Sequence, residues 1–197
     1  MRTLLAPLAA RPRLQLEATI ASAAIVGVAA SLFIAPDLHG VLGAALALVM
    51  LAIAAVDAQH FVIPDELNVA ALFLAVVNAV LQDPQIALTA VASALVRGGV
   101  LALCFLALRI GYRQLRRREG IGLGDVKLAA VAGAWLDWLI LPTAIEIAAI
   151  SALALYAVHR YVLGRPFDPK SRMPFGLFLA PAIWLGWLLQ TAVGAPP

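Results

Sequence analysis

Apolar runs of membrane-crossing length alternate with short polar connections along almost the whole chain. A spanning helix needs about 20 largely apolar residues, with about 17 to 25 tolerated. On that measure the candidate spans are 19–36, 39–56, 64–81, 86–108, 124–140, 142–162 and 174–192. The third and fifth are the weakest, because each begins with polar residues, and Pro142 is expected in a tight turn between the fifth and sixth. The expected fold is therefore all-α: a polytopic transmembrane helical bundle of about seven spans, or six if a weak segment is re-entrant. No connection is long enough to be a domain of its own, and no paired inverted repeat of the transporter kind is visible. Residues 1–197 read as a single transmembrane domain.

Composition agrees with that pattern. The chain is 63% hydrophobic and 13% charged, against roughly 25% charged residues in a soluble domain. Its mean hydropathy is +0.97, and a soluble fold of this size has too little interior for so much apolar surface. The single cysteine, Cys104, lies in an apolar run and reads as a packing residue. One cysteine supports neither a disulfide framework nor a cysteine metal site. The first apolar stretch is short and broken by Pro7, Arg11, Pro12 and Arg13, so a cleavable signal is not expected.

Charge then sets an orientation. Arg2, Arg11 and Arg13 precede the first span, five arginines lie in 109–120, and four further basic residues lie in 159–173. With the N-terminus in the cytoplasm, all of these fall on the cytoplasmic side. The opposite connections hold Asp37, His39, Asp83 and Asp137, with no lysine or arginine, as the positive-inside rule requires. Basic residues grouped this way, without interleaved aromatics, argue against a nucleic-acid partner despite a pI near 9.5. The partner they imply is the lipid bilayer. Arg97, inside the fourth span, needs a partner, a snorkelling route or a wet cavity.

Two polar segments interrupt the apolar sequence at the cytoplasmic face. The first, VDAQHFVIPDELN, holds Asp57, His60, Pro64, Asp65, Glu66 and Asn68. The second, EGIGLGDVKL, holds Glu119, Gly120, Gly122, Gly124, Asp125 and Lys127. Asp57 ends the second span and Asp125 begins the fifth, so the alternation of spans puts both at one depth. Two neighbouring carboxyls share a proton because both cannot ionise cheaply. The ionised one can deprotonate a water while the protonated one polarises a carbonyl, which is the chemistry of peptide hydrolysis. That scheme needs no metal and no cofactor. Alternating glycines beside Asp125 permit close backbone approach or unusual dihedrals. Bland readings also exist: Asp65, Glu66 and Asp125 suit a helix first turn, Asp57 suits a loop, and His60 suits an interface. Lys127 is either a snorkelling lysine or the partner of Glu119 or a site acid. Trp135, Trp138, Trp184 and Trp187 read as interface or packing aromatics. His39 and His159 fall on opposite faces and cannot share a metal. GIGLGD is not a dinucleotide fingerprint, since no strand precedes it.

These residues resemble the prepilin peptidases, membrane aspartic proteases with a GxGD signature. The resemblance rests on Asp57 followed by Ile63-Pro64-Asp65 and continuing to Asn68, on GIGLGDVKL from Gly120 to Leu128 with Ala130, Gly133 and Ala134, and on Pro174-Phe175-Gly176. It covers about residues 45–192. It implies Asp57 and Asp125 as the catalytic pair, Asp65 as a supporting acid, and Gly122, Gly124 and Lys127 as residues that shape the site. It implies an endopeptidase of the bacterial inner membrane. Its substrates would be prepilins or secretion pseudopilins with a short basic leader, cut after a glycine at the cytoplasmic face. The chain has no paired-cysteine region before its first span and resembles the short form that accompanies tight-adherence (Flp-type) pili, which speaks against N-methyltransferase activity. The family's Thr after Asp-x-Leu is Asn68 here. Rival readings are a proton- or ion-coupled transporter using intramembrane acids, a presenilin-like protease, and a silent assembly factor. The presenilin-like reading is disfavoured by Val56 before Asp57 and by the late Pro-Phe-Gly.

Overall fold

Each apolar run becomes a helix. The computed structural model describes residues 6–82, 84–117, 120–162 and 174–194. It contains α1 (Ala6–Ile34), α2 (Leu38–His60), α3 (Asp65–Gln82), a short 3-10 turn (Pro84–Ile86), α4 (Ala87–Arg116), α5 (Leu123–Trp135), α6 (Ile140–Ala157) running into a π-helical turn (Val158–Val162), and α7 (Gly176–Val193). No strand occurs among the described residues. Arg2, Asp83, Arg118, Glu119 and the basic residues of 163–173 lie outside them.

Six of these helices are long and apolar enough to cross a membrane, and the chain is a multi-pass membrane protein. The expected fifth span, 124–140, is the exception. Helix α5 has 13 residues, about 20 Å at 1.5 Å per residue, against a hydrocarbon core of about 30 Å. It ends at Leu136, whose backbone is extended. Asp137 then turns the chain: its carboxylate accepts the N–H groups of Leu139 and Ile140, both at 3.0 Å. The turn thus lies at 136–139, and Pro142 sits inside the first turn of α6, where a missing N–H leaves no bond unmade. A short helix suffices here because protein encloses it. Every residue from Val131 to Leu136 is buried, and α3, α4 and α7 pack around α5.

The core lies between α2, α5 and α7, where Leu46, Met50, Ile53, Leu128, Val131, Leu179, Ile183 and Trp187 are fully buried. Helix α1 packs on α2, α4 on α5, and α6 on α7. Their outward faces keep large apolar side chains exposed, among them Phe33, Leu88, Leu103 and Leu153, as lipid-facing surfaces do. Cys104 is on such an exposed face of α4, not in the packing expected of it. The α4–α5 crossing is backbone on backbone: a methyl on Gly133 would stand 2.5 Å from the Arg97 carbonyl oxygen. That proximity also answers the Arg97 question. Its Nε donates to the Gly133 carbonyl at 3.3 Å, and the charge of Asp137 acts on it.

Polar ties mark the two ends of the bundle. At one, His39 at the start of α2 lies 2.8 Å from Asn78 near the end of α3 and 3.3 Å from Thr191 near the end of α7. The Gln190 side chain there accepts the Asp137 N–H at 3.0 Å. The other end gathers the close of α2 and the starts of α3, α5 and α7. The alternation inferred from charge therefore recurs in the packing.

Candidate active site

The site begins with how α2 stops. Phe61 adopts a left-handed backbone, φ 55°, and its N–H bonds the Asp57 carbonyl. A non-glycine residue in that region costs about 1 to 3 kcal/mol, and the gain here is a sharp reversal. Residues 61–64 fold back toward the bundle, and the Pro64 carbonyl accepts the Asn68 N–H as α3 starts. The reversal drives the Ile63 side chain inward, where it is buried. There it fills the space a side chain would need on two glycines. A methyl on Gly124 would meet Ile63 Cβ at 3.0 Å, and one on Gly176 would meet Ile63 Cδ1 at 2.7 Å. Ile63 is thus a wedge between the starts of α5 and α7.

The two aspartates flank this wedge. Asp57, 4% exposed, points at the start of α7. Its Oδ2 accepts the Leu177 N–H at 2.9 Å, and the Gly176 N–H adds a second bond. First-turn N–H groups have no intrahelical acceptor, so carboxylate and helix start satisfy one another. A methyl on Gly176 would stand 2.8 Å from Asp57 Oδ2, so only glycine lets α7 approach this closely.

Asp125 sits in the first turn of α5, outside the six spanning helices. Its Oδ2 accepts the Gly122 N–H at 3.0 Å, the back-reaching half of a capping box. Burial pushes the Asp125 carboxyl up, to about 6; the Gly122 N–H opposes the rise, the charge of Asp57 adds to it, and Arg109 opposes it. Gly120, Gly122 and Gly124 serve through close approach and not through special dihedrals, since none has positive φ.

Asp65 and Lys127 form an ion pair, Nζ to Oδ1 2.6 Å, with both side chains exposed. It ties the start of α3 to the start of α5 on the rim of the site and contributes no more than about 1 kcal/mol. Among the described residues neither side chain is bonded to Asp57 or Asp125. Asp65 and Glu66 occupy the first turn of α3, and His60 is exposed. Asn68 is buried with neither amide atom bonded. Among the described residues no group of three or more His, Cys, Asp or Glu could hold a metal ion.

Several residues were missed as contributors. Gly176 and the Leu177 N–H were visible as part of a motif but not as the seat of Asp57. Ile63 looked like one more apolar residue. Arg109 donates to the Ile121 carbonyl, and the Tyr112 ring lies where a Gly120 side chain would be. Both lie in the basic stretch 109–120, whose arginines set the orientation; their i, i+3 spacing puts them on one helix face, and that is the signal the sequence offers.

The arrangement gathers two carboxyls, backbone N–H groups and an ion pair at one end of the bundle. Comparison with known proteins gives the family. Residues 44–158 match the Type IV leader peptidase family. Leader peptidase HopD of Escherichia coli is 34% identical over 66% of this chain and 82% of its own length. The prepilin leader peptidase/N-methyltransferase of Burkholderia pseudomallei is 36% identical over 82% of this chain, and that of Dichelobacter nodosus 32% over 84%. The chain spans only 50% and 56% of the length of these two longer relatives. No solved structure matches. The match over residues 44–158 takes in the whole of the first acidic segment and the glycine-flanked Asp125, and the chain belongs to the Type IV leader peptidase family.

Proposed function

We propose that the protein is a membrane aspartic endopeptidase in which Asp57 and Asp125 share one proton and activate a water against a peptide bond. The observation that carries this reading is the placing of both acids around Ile63, Asp57 against the start of α7 and Asp125 in the first turn of α5, each accepting a backbone N–H group. Such donors orient a carboxylate and cannot accept its proton. The ionised member takes a proton from water, the protonated member polarises the scissile carbonyl, and a carboxyl then protonates the leaving amine. The pair titrates as a unit.

The substrates proposed are prepilins or pseudopilins with a short basic leader, cut after a glycine ahead of their apolar helix. This follows from the names borne by the relatives and from the motifs at Asp57, Asp125 and Pro174–Gly176. The site end of the bundle is assigned to the cytoplasmic face of the bacterial inner membrane, because Arg109, Arg113, Arg116 and Arg117 gather at that end of α4. Asp65 and Lys127 are assigned a supporting part on the rim, and Gly122 and Gly124 shape the approach to Asp125. A transporter reading draws little support from the buried charges elsewhere, since Arg97 is bonded to a helix carbonyl and Asp137 caps a helix.

The test is cleavage of leader-bearing pilin precursors by protein reconstituted in lipid, read by product mass and new N-terminal sequence. A cut after the leader glycine, lost in both Asp57→Asn and Asp125→Asn while the variants remain folded, is the expected result. Full activity in either variant would overturn the assignment of that residue. The product mass also reports whether the new N-terminus carries a methyl group.

A further inference from the structure

Helix α4 has 30 residues, about 45 Å, and so outruns a hydrocarbon core of about 30 Å. Its surplus length reaches past the start of α5 and lies beside the glycine-rich segment that leads to Asp125. Arg109 and Tyr112 stand one turn apart on that stretch, and both touch the segment. The Arg109 guanidinium donates to the Ile121 carbonyl. The Tyr112 ring covers Gly120, so that a methyl there would meet it at 2.6 Å.

Residues 120–122 have no helical hydrogen bonds of their own to hold them. Gly122 nevertheless must present its N–H to Asp125, and Gly124 must sit against Ile63. A glycine-rich segment without a regular ladder loses more chain entropy on ordering than any other. Something outside it has to fix its path. Among the described residues, the side-chain bond to this segment from another helix than α5 comes from Arg109.

We propose that Arg109 is the positioning residue of this site: by holding the Ile121 carbonyl it fixes the Gly120–Gly124 segment so that Asp125 faces Asp57. The proposal rests on the aspartyl-pair reading and adds to it a residue that touches neither water nor peptide in the reaction. Its cation has a second effect. Among the described residues, the charged groups that act on Asp125 are Asp57 from α2 and Arg109 from α4. Lys127, on the same helix, is paired with Asp65 of α3, and the packed start of α7 contributes backbone N–H groups. Arg109 is thus a cation acting on Asp125, and it favours the ionised form of that carboxyl.

The two effects can be separated by substitution. Arg109→Gln removes the cation; Arg109→Lys keeps it on a shorter reach without the planar fork. Cleavage of a precursor is measured from pH 4 to 9 for wild type and both variants in lipid, with thermal unfolding as a check on folding. Arg109→Gln is expected to lower kcat by about ten- to a hundredfold, the scale for losing an orienting partner, with KM little changed. The alkaline limb of its pH profile is expected to move to higher pH, since Asp125 holds its proton longer without the cation. Arg109→Lys is expected to lower kcat as well but to leave the profile in place. A folded Arg109→Gln protein with wild-type kcat and an unmoved profile would overturn the proposal. So would an equal loss of kcat in both variants with no shift in either, since that is a packing defect. If wild type itself cuts no precursor, or Asp57→Asn and Asp125→Asn remain active, the underlying aspartyl reading fails first.

Discussion

The two ends of this bundle are both polar, and they treat their polar groups differently. At the end holding His39, side chains bond side chains or cap helices: His39 with Asn78 and Thr191, Gln190 with the Asp137 N–H, and the Asp137 carboxylate with the start of α6. These contacts lock α2, α3, α5, α6 and α7 together. At the other end Asp57, buried, and Asp125, half-buried, also accept backbone N–H groups, of Leu177 and Gly122, but there the charge of one acid acts on the other, with Arg109 opposing it. Acids at both ends serve helix starts. What sets the second end apart is a second carboxyl and a cation beside the first. The difference teaches that burial of an acid says little until its partners are known.

Substitution of the acids should separate the ends most strongly. Asp57→Asn or Asp125→Asn is expected to lower cleavage by about 10²- to 10⁴-fold, the range for losing a general acid or base, at nearly unchanged thermal stability. Asp137→Asn is expected to do the reverse, keeping the rate and losing about 1 to 3 kcal/mol of stability as the cap and its buried surroundings are disturbed. A rate loss in Asp137→Asn comparable to the others would erase the distinction.

Two glycines sharpen it further. Gly176→Ala drives a methyl against Asp57 Oδ2 and Ile63; displacing α7 from the acid by even 1 Å is expected to reduce cleavage about a hundredfold. Gly43→Ala puts a methyl 1.9 Å from the Trp187 ring and is expected to lower stability by about 1 to 3 kcal/mol through overpacking, with the rate per folded molecule retained. Activity assays corrected for the folded fraction distinguish the two.

The pH dependence should belong to the acid pair alone. At low pH both carboxyls are protonated and none can take a proton from water. As pH rises through the value of about 6 for Asp125, the shared proton is lost and the rate falls. A bell-shaped profile is expected, its alkaline limb controlled near that value, and His39→Gln should leave it in place. The smallest effect is expected from the rim: Asp65→Ala or Lys127→Ala should change stability by less than about 1 kcal/mol, read by thermal unfolding, and a large loss would show that the pair does more than tie α3 to α5.

Much of the fold was legible because a bilayer makes length and apolarity decisive. Six helices follow directly from runs of adequate length, and the basic residues near 109–117 and at the N-terminus order them. The alternation of spans also put Asp57 and Asp125 at one depth. What failed was α5: a length rule written for helices in lipid does not apply to one enclosed by α3, α4 and α7, and the chain turns at Asp137 before the expected boundary. Lys127 had three readings in the sequence, two of them with a partner, and only the approach of α3 to α5 selects Asp65.

The sequence by itself determined the all-α membrane class, the alternation of spans and the two acidic segments, because each depends on local composition and on the free energy of moving it into lipid. The tertiary structure alone decided that Ile63 separates the starts of α5 and α7, that Gly176 admits a helix start to Asp57, and that Arg109 reaches the Ile121 carbonyl. Those facts depend on distances between segments far apart in the chain, which packing sets and no local pattern records.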